Sequence, residues 1–318
     1  MNYHCKSAVI LLCFNRPEHT KKVLSQIRLV RPSRLYFAIV GPRFDNSDDI
    51  EKINQVKNIL SNIDWDCSIQ KLYRANNLGC KEAVRRALDW FFHYEEEGII
   101  LEDDIYPTVS FFKFCDEMLD KYRKNDRVCV VSGSNSISNL YKPKTRYFYS
   151  LYNHCWGWAT WRRSWLDYEK DLGELQKKIT PYFLKKIGGG WRFSLVWTAI
   201  LRNVVQCKVN SWAYIWTFSC WSRGKLSVLP SSPLTVNIGF DDEATHTSFN
   251  PPSFLQNTYL AEMNFSLDDP KEFKRDIKAD ELIGLVIFDI SNLGAFKAML
   301  KLIPGIAFAL SGIRRIFL

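Results

Sequence analysis

The chain has 318 residues, 47% of them hydrophobic, which is enough to bury one large core or two moderate ones and marks a globular protein. Lysine and arginine outnumber aspartate and glutamate by 43 to 34, and the resulting +9 favours anionic partners such as phosphates or acidic lipid surfaces. No zinc-finger or leucine-zipper pattern is present, so no nucleic-acid partner is expected; the nine scattered cysteines, none in a Cys-x-x-Cys pair, speak against a zinc site or disulfide framework and fit a reducing, cytoplasmic setting. The start, Met1 to Lys6, is polar without a signal-peptide pattern, and no apolar run reaches the roughly 20 residues of a membrane span.

The first half alternates between strand and helix patterns. Ser7 to Phe14 is continuously apolar, as a strand covered on both faces should be, and ends at Asn15-Arg16-Pro17, where Pro17 can open a helix running to about Ile27. Leu35 to Val40 reads as a second strand closed by Gly41-Pro42-Arg43. Ser47 is then placed to cap a helix carrying Ile50, Ile53, Val56 and Leu60 on one face. Cys67 to Tyr73 is a weaker strand, Arg74 to Gly79 a polar turn, and Val84, Ala87, Leu88 and Phe91 line a third helix.

The next strand is the one around which the chain is organised. Gly98 to Pro107 is a short apolar run that stops at Glu102-Asp103-Asp104. Three adjacent anions repel one another unless a positive group, most simply a divalent cation, sits between them. Hard oxygen ligands suit Mg or Mn, which keep positions open for substrate phosphates. The alternative is that the acids cap the helix expected over 108–122, where negative charge is favoured anyway. Val128 to Val131 is a further strand, ending in Ser132-Gly133-Ser134-Asn135.

This alternation predicts a parallel sheet with helices on both faces, in which ligands bind beyond the carboxyl ends of the strands. That rule gathers Asn15, Arg43, Arg74 and Asp103 at one edge. Arg16, Arg43 and Arg74 offer planar forks that match phosphate oxygens, and the carboxylates can hold a bridging metal. No Walker loop or Gly-x-Gly-x-x-Gly is present, which disfavours an ATPase or a dehydrogenase. Past Asn135 aromatics crowd from Tyr147 to Trp165 and again at Trp191, Trp197, Trp212, Trp216 and Trp221. Such rings serve either as core filler or as platforms for sugars. Gly157, between Trp156 and Trp158, lets backbone approach closely, as a pocket wall requires.

Several of these segments together resemble bacterial sugar transferases of the GT-A type, similar in arrangement to the N-acetylglucosaminyltransferase I and family 2 groups. They are Ala8 to Pro17, Asn77-Leu78-Gly79, Leu101 to Asp104, His154 to Trp161 and Asn237 to Thr247. The resemblance runs from about Ser7 to Thr247. It implies a Rossmann-like, mixed, mainly parallel α/β sheet flanked by helices. The catalytic domain would be 1–250, with 1–135 binding the nucleotide-sugar and 136–250 on the acceptor side, followed by an extension, 251–318, with amphipathic helices. It further implies inverting, metal-dependent transfer of a sugar from a nucleotide-sugar donor to a hydroxyl of a glycan or lipid-linked glycan, as in cell-surface polysaccharide or lipopolysaccharide synthesis.

Carried over residue by residue, the resemblance makes Asp104 a metal ligand and places Glu102 and Asp103 against the ribose and the metal's water shell. His246 completes the metal site, Asn15, Arg16, Arg43, Arg74 and Asn77 meet the donor, and Trp156, Gly157 and Trp158 wall the acceptor side. Val40 stands where relatives commonly carry an aspartate that contacts the base, so no base is specified. Ala213 stands where many carry an aspartate able to take the acceptor's proton, which leaves Asp242 and Glu243 of the matched block as candidates, with Asp242 the expected base. A metal-dependent nucleotidyltransferase and a non-catalytic glycan- or membrane-binding protein are the alternatives.

In the tail, Leu282 to Ile287 and Leu302 to Leu310 are apolar, Lys297, Lys301, Arg314 and Arg315 punctuate them, and Pro304 interrupts any long helix. The pattern suits helices lying peripherally on the inner face of an anionic membrane, or a pair that covers the core or forms a dimer.

Overall fold

The computed structural model describes residues 3–240, 260–263 and 268–303. The apolar runs form parallel strands, each followed by a helix: β1 (Ala8–Cys13), α1 (Pro17–Val30), β2 (Arg34–Ile39), α2 (Asp48–Ser61), β3 (Ser68–Tyr73), α3 (Gly79–Tyr94) and β4 (Glu97–Glu102). β1 is buried at all six positions, as a central strand covered on both faces must be. Pro17 occupies the first turn of α1, as expected, but the helix runs on to Val30, where Arg31 in a left-handed conformation closes it. α2 does begin after Ser47, yet the serine side chain makes no cap hydrogen bond, and Ile50 is exposed rather than facing the core with Ile53, Val56 and Leu60.

The acidic segment divides. β4 stops at Glu102, and Ile105–Pro107 (β5) joins a separate two-stranded sheet before α4 (Val109–Tyr122), whose N-cap Thr108 accepts from the Phe111 amide. The chain continues through β6 (Val128–Ser132), β7 (Tyr147–Ser150), β8 (Trp158–Trp161), α5 (Arg162–Trp165), α6 (Leu172–Lys178), α7 (Pro181–Gly188), α8 (Trp191–Val205), α9 (Trp212–Ser222), β9 (Leu226–Pro230) and β10 (Thr235–Asn237). It ends, in the described residues, with α10 (Ile277–Phe288) and α11 (Asn292–Leu302).

One eight-stranded sheet in the order β3-β2-β1-β4-β8-β6-β9-β7 holds strands from both halves of the chain. Six strands run in one direction; β8 enters antiparallel between β4 and β6, and β7 is antiparallel at the edge. The fold is therefore α/β, mixed and mainly parallel, flanked by helices, with a C-terminal helical region. Alternation along the strands sorts the core into two layers. One packs Val9, Leu11, Ile99 and Leu101 with α1, α2 and α4; the other packs Ile10, Leu12 and Ile100 with α3, α8 and α9, and contains the tryptophans Trp158, Trp197, Trp212 and Trp216. Leu12 pairs with Glu102, so β1 and β4 leave the sheet side by side and deliver the residues after Cys13 beside the acidic triplet. β10 pairs antiparallel with β5 and brings 238–240 to the same corner.

Candidate active site

The triplet is built by alternation at a strand end. Asp103 turns toward β1 and accepts a 2.8 Å hydrogen bond from the Phe14 amide, which splices the ends of β1 and β4. Asp104 accepts a 2.8 Å ion-pair contact from Arg16 Nη1, and Arg16 is only 6% exposed. Glu102 has no side-chain hydrogen bond or ion pair among the described residues. Burial, and then repulsion from its neighbours, raises the proton affinity of Glu102 and Asp103; burial also raises that of Asp104, against the pull of Arg16 and His19. Cys80, at the start of α3, has its thiol pushed up to about 12 by burial and by the charges of Glu102 and Asp104. The corner thus gathers three carboxyls, of which Asp104 pairs with Arg16 and Asp103 accepts from the Phe14 amide.

The segment after β10 closes over this corner. The Ile238 amide donates to the Asp104 carbonyl at 2.8 Å, and His19 Nε2, from the first turns of α1, lies 3.2 Å from the Ile238 carbonyl. Gly239 donates its amide to Asn237 Oδ1, and a Cβ on Gly239 would stand 2.5 Å from both Arg16 Nη1 and Asp104 Oδ2. Only glycine lets the backbone pass so near the ion pair. Phe240 meets Trp156 edge to face, with centroids 6.1 Å apart. Trp156 is half-buried, and its carbonyl accepts from Thr235 Oγ1 at 2.6 Å. Gly157 has φ +71°, and a side chain there would strike Thr235 Cγ2 at 2.6 Å, so this turn is shaped by the absence of one. Trp158 is not part of any wall: it is 1% exposed and stacks on Trp212 at 5.7 Å, because it belongs to β8 and points into the core beside Ile100. The sequence expectation for Trp158 is corrected accordingly.

A second node sits at the ends of β1 and β2. Asp49, in the first turn of α2 and 1% exposed, accepts from Asn15 Nδ2 at 2.7 Å, from Arg43 Nε and Nη2 at 2.8 Å each, and from the Arg43 amide at 3.0 Å. The Arg43 guanidinium, with these amide donors, holds the Asp49 carboxyl down at about 2. Asn77 is a brace: its amide donates to the Pro42 carbonyl, its Nδ2 to the Gly41 carbonyl, and its Oδ1 accepts from the Gly79 amide. Arg74, half-buried, leaves β3 with its amide on the Ile39 carbonyl and with no side-chain partner among the described residues. A cavity of about 820 Å³ opens here, lined by Pro42, Arg43, Phe44, Ser47, Asn76 and Asn77 among others. Its size suits a nucleotide-sized ligand.

Asn15, Arg16, Arg43, Arg74, Asn77 and the acids are therefore gathered at adjacent strand ends, while Asp242 and His246 lie outside the described residues. Sequence reasoning missed Asp49, His19 and Thr235. An acid or a histidine in the first turns of a helix is too common to stand out, and the contacts of Thr235 exist only once β10 has paired.

No family model matches the sequence, and no curated protein is similar to it at a significant level. Among solved structures, a mannosyltransferase, PcManGT from Pyrobaculum calidifontis in complex with GDP-Man and Mn2+, aligns with TM-score 0.34 and 10% identity over 69% of each chain. A likeness that distant decides nothing, so the functional reading rests on this chain's own residues.

The fit of a divalent metal can be judged from the donors. Among the described residues no group of three or more His, Cys, Asp or Glu is arranged to cage an ion. Mg and Mn do not require a cage; one or two carboxylates, completed by water and phosphates, hold them in nucleotide sites. The half-buried Glu102 carboxyl, without a hydrogen-bond or ion-pair partner among the described residues and next to Asp104, is such a donor set.

Proposed function

We propose that the chain is a metal-dependent glycosyltransferase that moves a sugar, with inversion, from a nucleotide-sugar donor to a hydroxyl of a glycan acceptor. The observation that carries this reading is the cluster of three carboxyls at the end of β4, with Asp104 held by Arg16, next to the cavity bordered by Arg43. Asp104, with Glu102 beside it, would hold a divalent metal; bound there, the metal would neutralise the diphosphate leaving group. Arg16 orients Asp104 through their 2.8 Å contact and opposes the effect of burial on its carboxyl. Arg43, positioned by Asp49, and Arg74 contact the diphosphate and stabilise its departing charge. Asn77 keeps the β2 and β3 loops at the spacing the nucleotide needs. Trp156, steadied by Phe240 and Thr235, offers its face to the acceptor sugar, and Asp242 takes the proton from the attacking hydroxyl.

Incubation of the full chain with a panel of nucleotide-sugars and Mn2+ tests this. Slow metal-dependent release of nucleoside diphosphate with free sugar is expected. Release of pyrophosphate would replace transfer with nucleotidyl chemistry, and no turnover of any donor would overturn both.

A further inference from the structure

α11 carries its residues inside out for a surface helix. It packs on α8 through Ala295 and Ala298 against Val196 and Ala199, with Leu302 packed beside them, and it turns large apolar side chains outward. Leu293 is 60% exposed, Phe296 53%, Met299 40% and Ile303 41%. On α10, Ile277 and Leu285 are about half exposed as well. An apolar face of this kind on the outside of a folded chain marks a contact surface.

Three observations choose its occupant. First, α11 contains no acid, and Lys297 and Lys301 stand exposed among its apolar residues, Lys297 lying 3.8 Å from Asp289 Oδ2 at the bend before the helix. Second, the sequence that follows, 304–318, has no acid, two arginines and seven large apolar residues, continuing the same chemistry; its structure lies outside the described residues. Third, the helix pair is fastened to the body. Asp280 of α10 accepts from Ser150 Oγ at 2.6 Å and from the Leu151 amide, and Tyr149 bridges to Arg275, so α10 cannot leave the sheet edge. No single helix among the described residues is long and apolar enough to cross a membrane, and α10 and α11 are bent by 58° at Asp289, which has φ +49°. A fastened, bent pair with one apolar, lysine-flanked face lies flat on a bilayer rather than through it. A two-fold contact between copies would instead bring the lysines of both α11 helices onto one patch without an acid from α11 to answer them.

We infer that the outward face of α11 is a docking surface for an anionic lipid bilayer. The apolar residues enter the headgroup boundary and the lysines meet lipid phosphates; a bilayer-borne acceptor would then be presented to the sheet edge, although the docking itself does not depend on the transfer reading. The test is sedimentation of the full chain with vesicles of phosphatidylcholine alone or mixed with phosphatidylglycerol. Binding to the mixed vesicles that weakens with salt is expected, about tenfold weaker or more in Leu293→Glu/Phe296→Glu and weaker with a shallower salt dependence in Lys297→Gln/Lys301→Gln. Both variants change exposed side chains and should keep the wild-type melting temperature. Asp104→Asn should bind vesicles normally, which separates this inference from the catalytic one. Failure of the wild type to sediment, equal binding by Leu293→Glu/Phe296→Glu, or a dimer that this variant converts to monomer with no lipid binding would each overturn the proposal.

Discussion

Asp49→Asn removes one charge from a buried node without changing its shape. In the wild type the Asp49 carboxyl titrates at about 2 instead of 3.8, chiefly because Arg43 donates to it. A depressed carboxylate stabilises the fold above its unfolded pKa, and that contribution is lost as pH falls through the folded value. The shift corresponds to about 2 kcal/mol, reduced to about 1–2 kcal/mol because Arg43 is 38% exposed and screened by solvent. In the variant, one amide oxygen still accepts, while the new amide group faces guanidinium N–H donors and cannot satisfy them. Urea unfolding should therefore show a variant less stable by about 1–2 kcal/mol at pH 7, with the gap constant down to about pH 5 and narrowing below pH 4. Since Arg43 and Asn15 lose their common anchor, donor KM should rise more than kcat falls. A gap that is absent at pH 7, or that does not narrow between pH 5 and pH 3, would refute the electrostatic account of this node.

Asp280 behaves in the opposite sense. Burial pushes its carboxyl up to about 7, so the folded state keeps a proton that the unfolded state releases, and stability should fall as pH rises from about 4 to 7. Asp280→Asn should flatten that slope, which is worth up to about 4 kcal/mol, in melting curves across the same range. Gly239→Ala forces a methyl against Arg16 and Asp104 and should cost about 1–3 kcal/mol in stability together with most of the metal-dependent donor turnover, read by unfolding and by nucleoside diphosphate release. The two tryptophans should separate cleanly. Trp158→Ala should lose about 3–5 kcal/mol of stability, whereas Trp156→Ala should stay within about 1 kcal/mol and lose transfer to acceptor while retaining donor hydrolysis.

The parallel half of the sheet was legible because β1, β2 and β4 are apolar runs between polar breaks, and their helices show one-sided periodicity. The aromatic half resisted for a physical reason. α9, Trp-Ala-Tyr-Ile-Trp-Thr-Phe-Ser-Cys-Trp-Ser, is buried around almost its whole circumference, so it carries no amphipathic signal from which a helix can be read. Trp158 illustrates the same difficulty: nothing local distinguishes a ring that faces a cleft from one on a central antiparallel strand. The acidic triplet was visible as a cluster, but not its division. Asp103 turns to the Phe14 amide, while Asp104 pairs with Arg16. Asp49 was hidden because first-turn acids are ordinary consequences of the helix dipole, and only folding brings Asn15 and Arg43 to it.

Manganese binding to the full chain, followed by the loss of the free-ion electron paramagnetic resonance signal in the presence of a panel of nucleoside diphosphates, tests the central claim most directly. Wild-type protein should take up the ion with at least one of the nucleotides, and Asp104→Asn should bind it about a hundredfold more weakly, a difference of about 2.7 kcal/mol. Equal uptake by the variant, or none by the wild type, would contradict a metal at the end of β4.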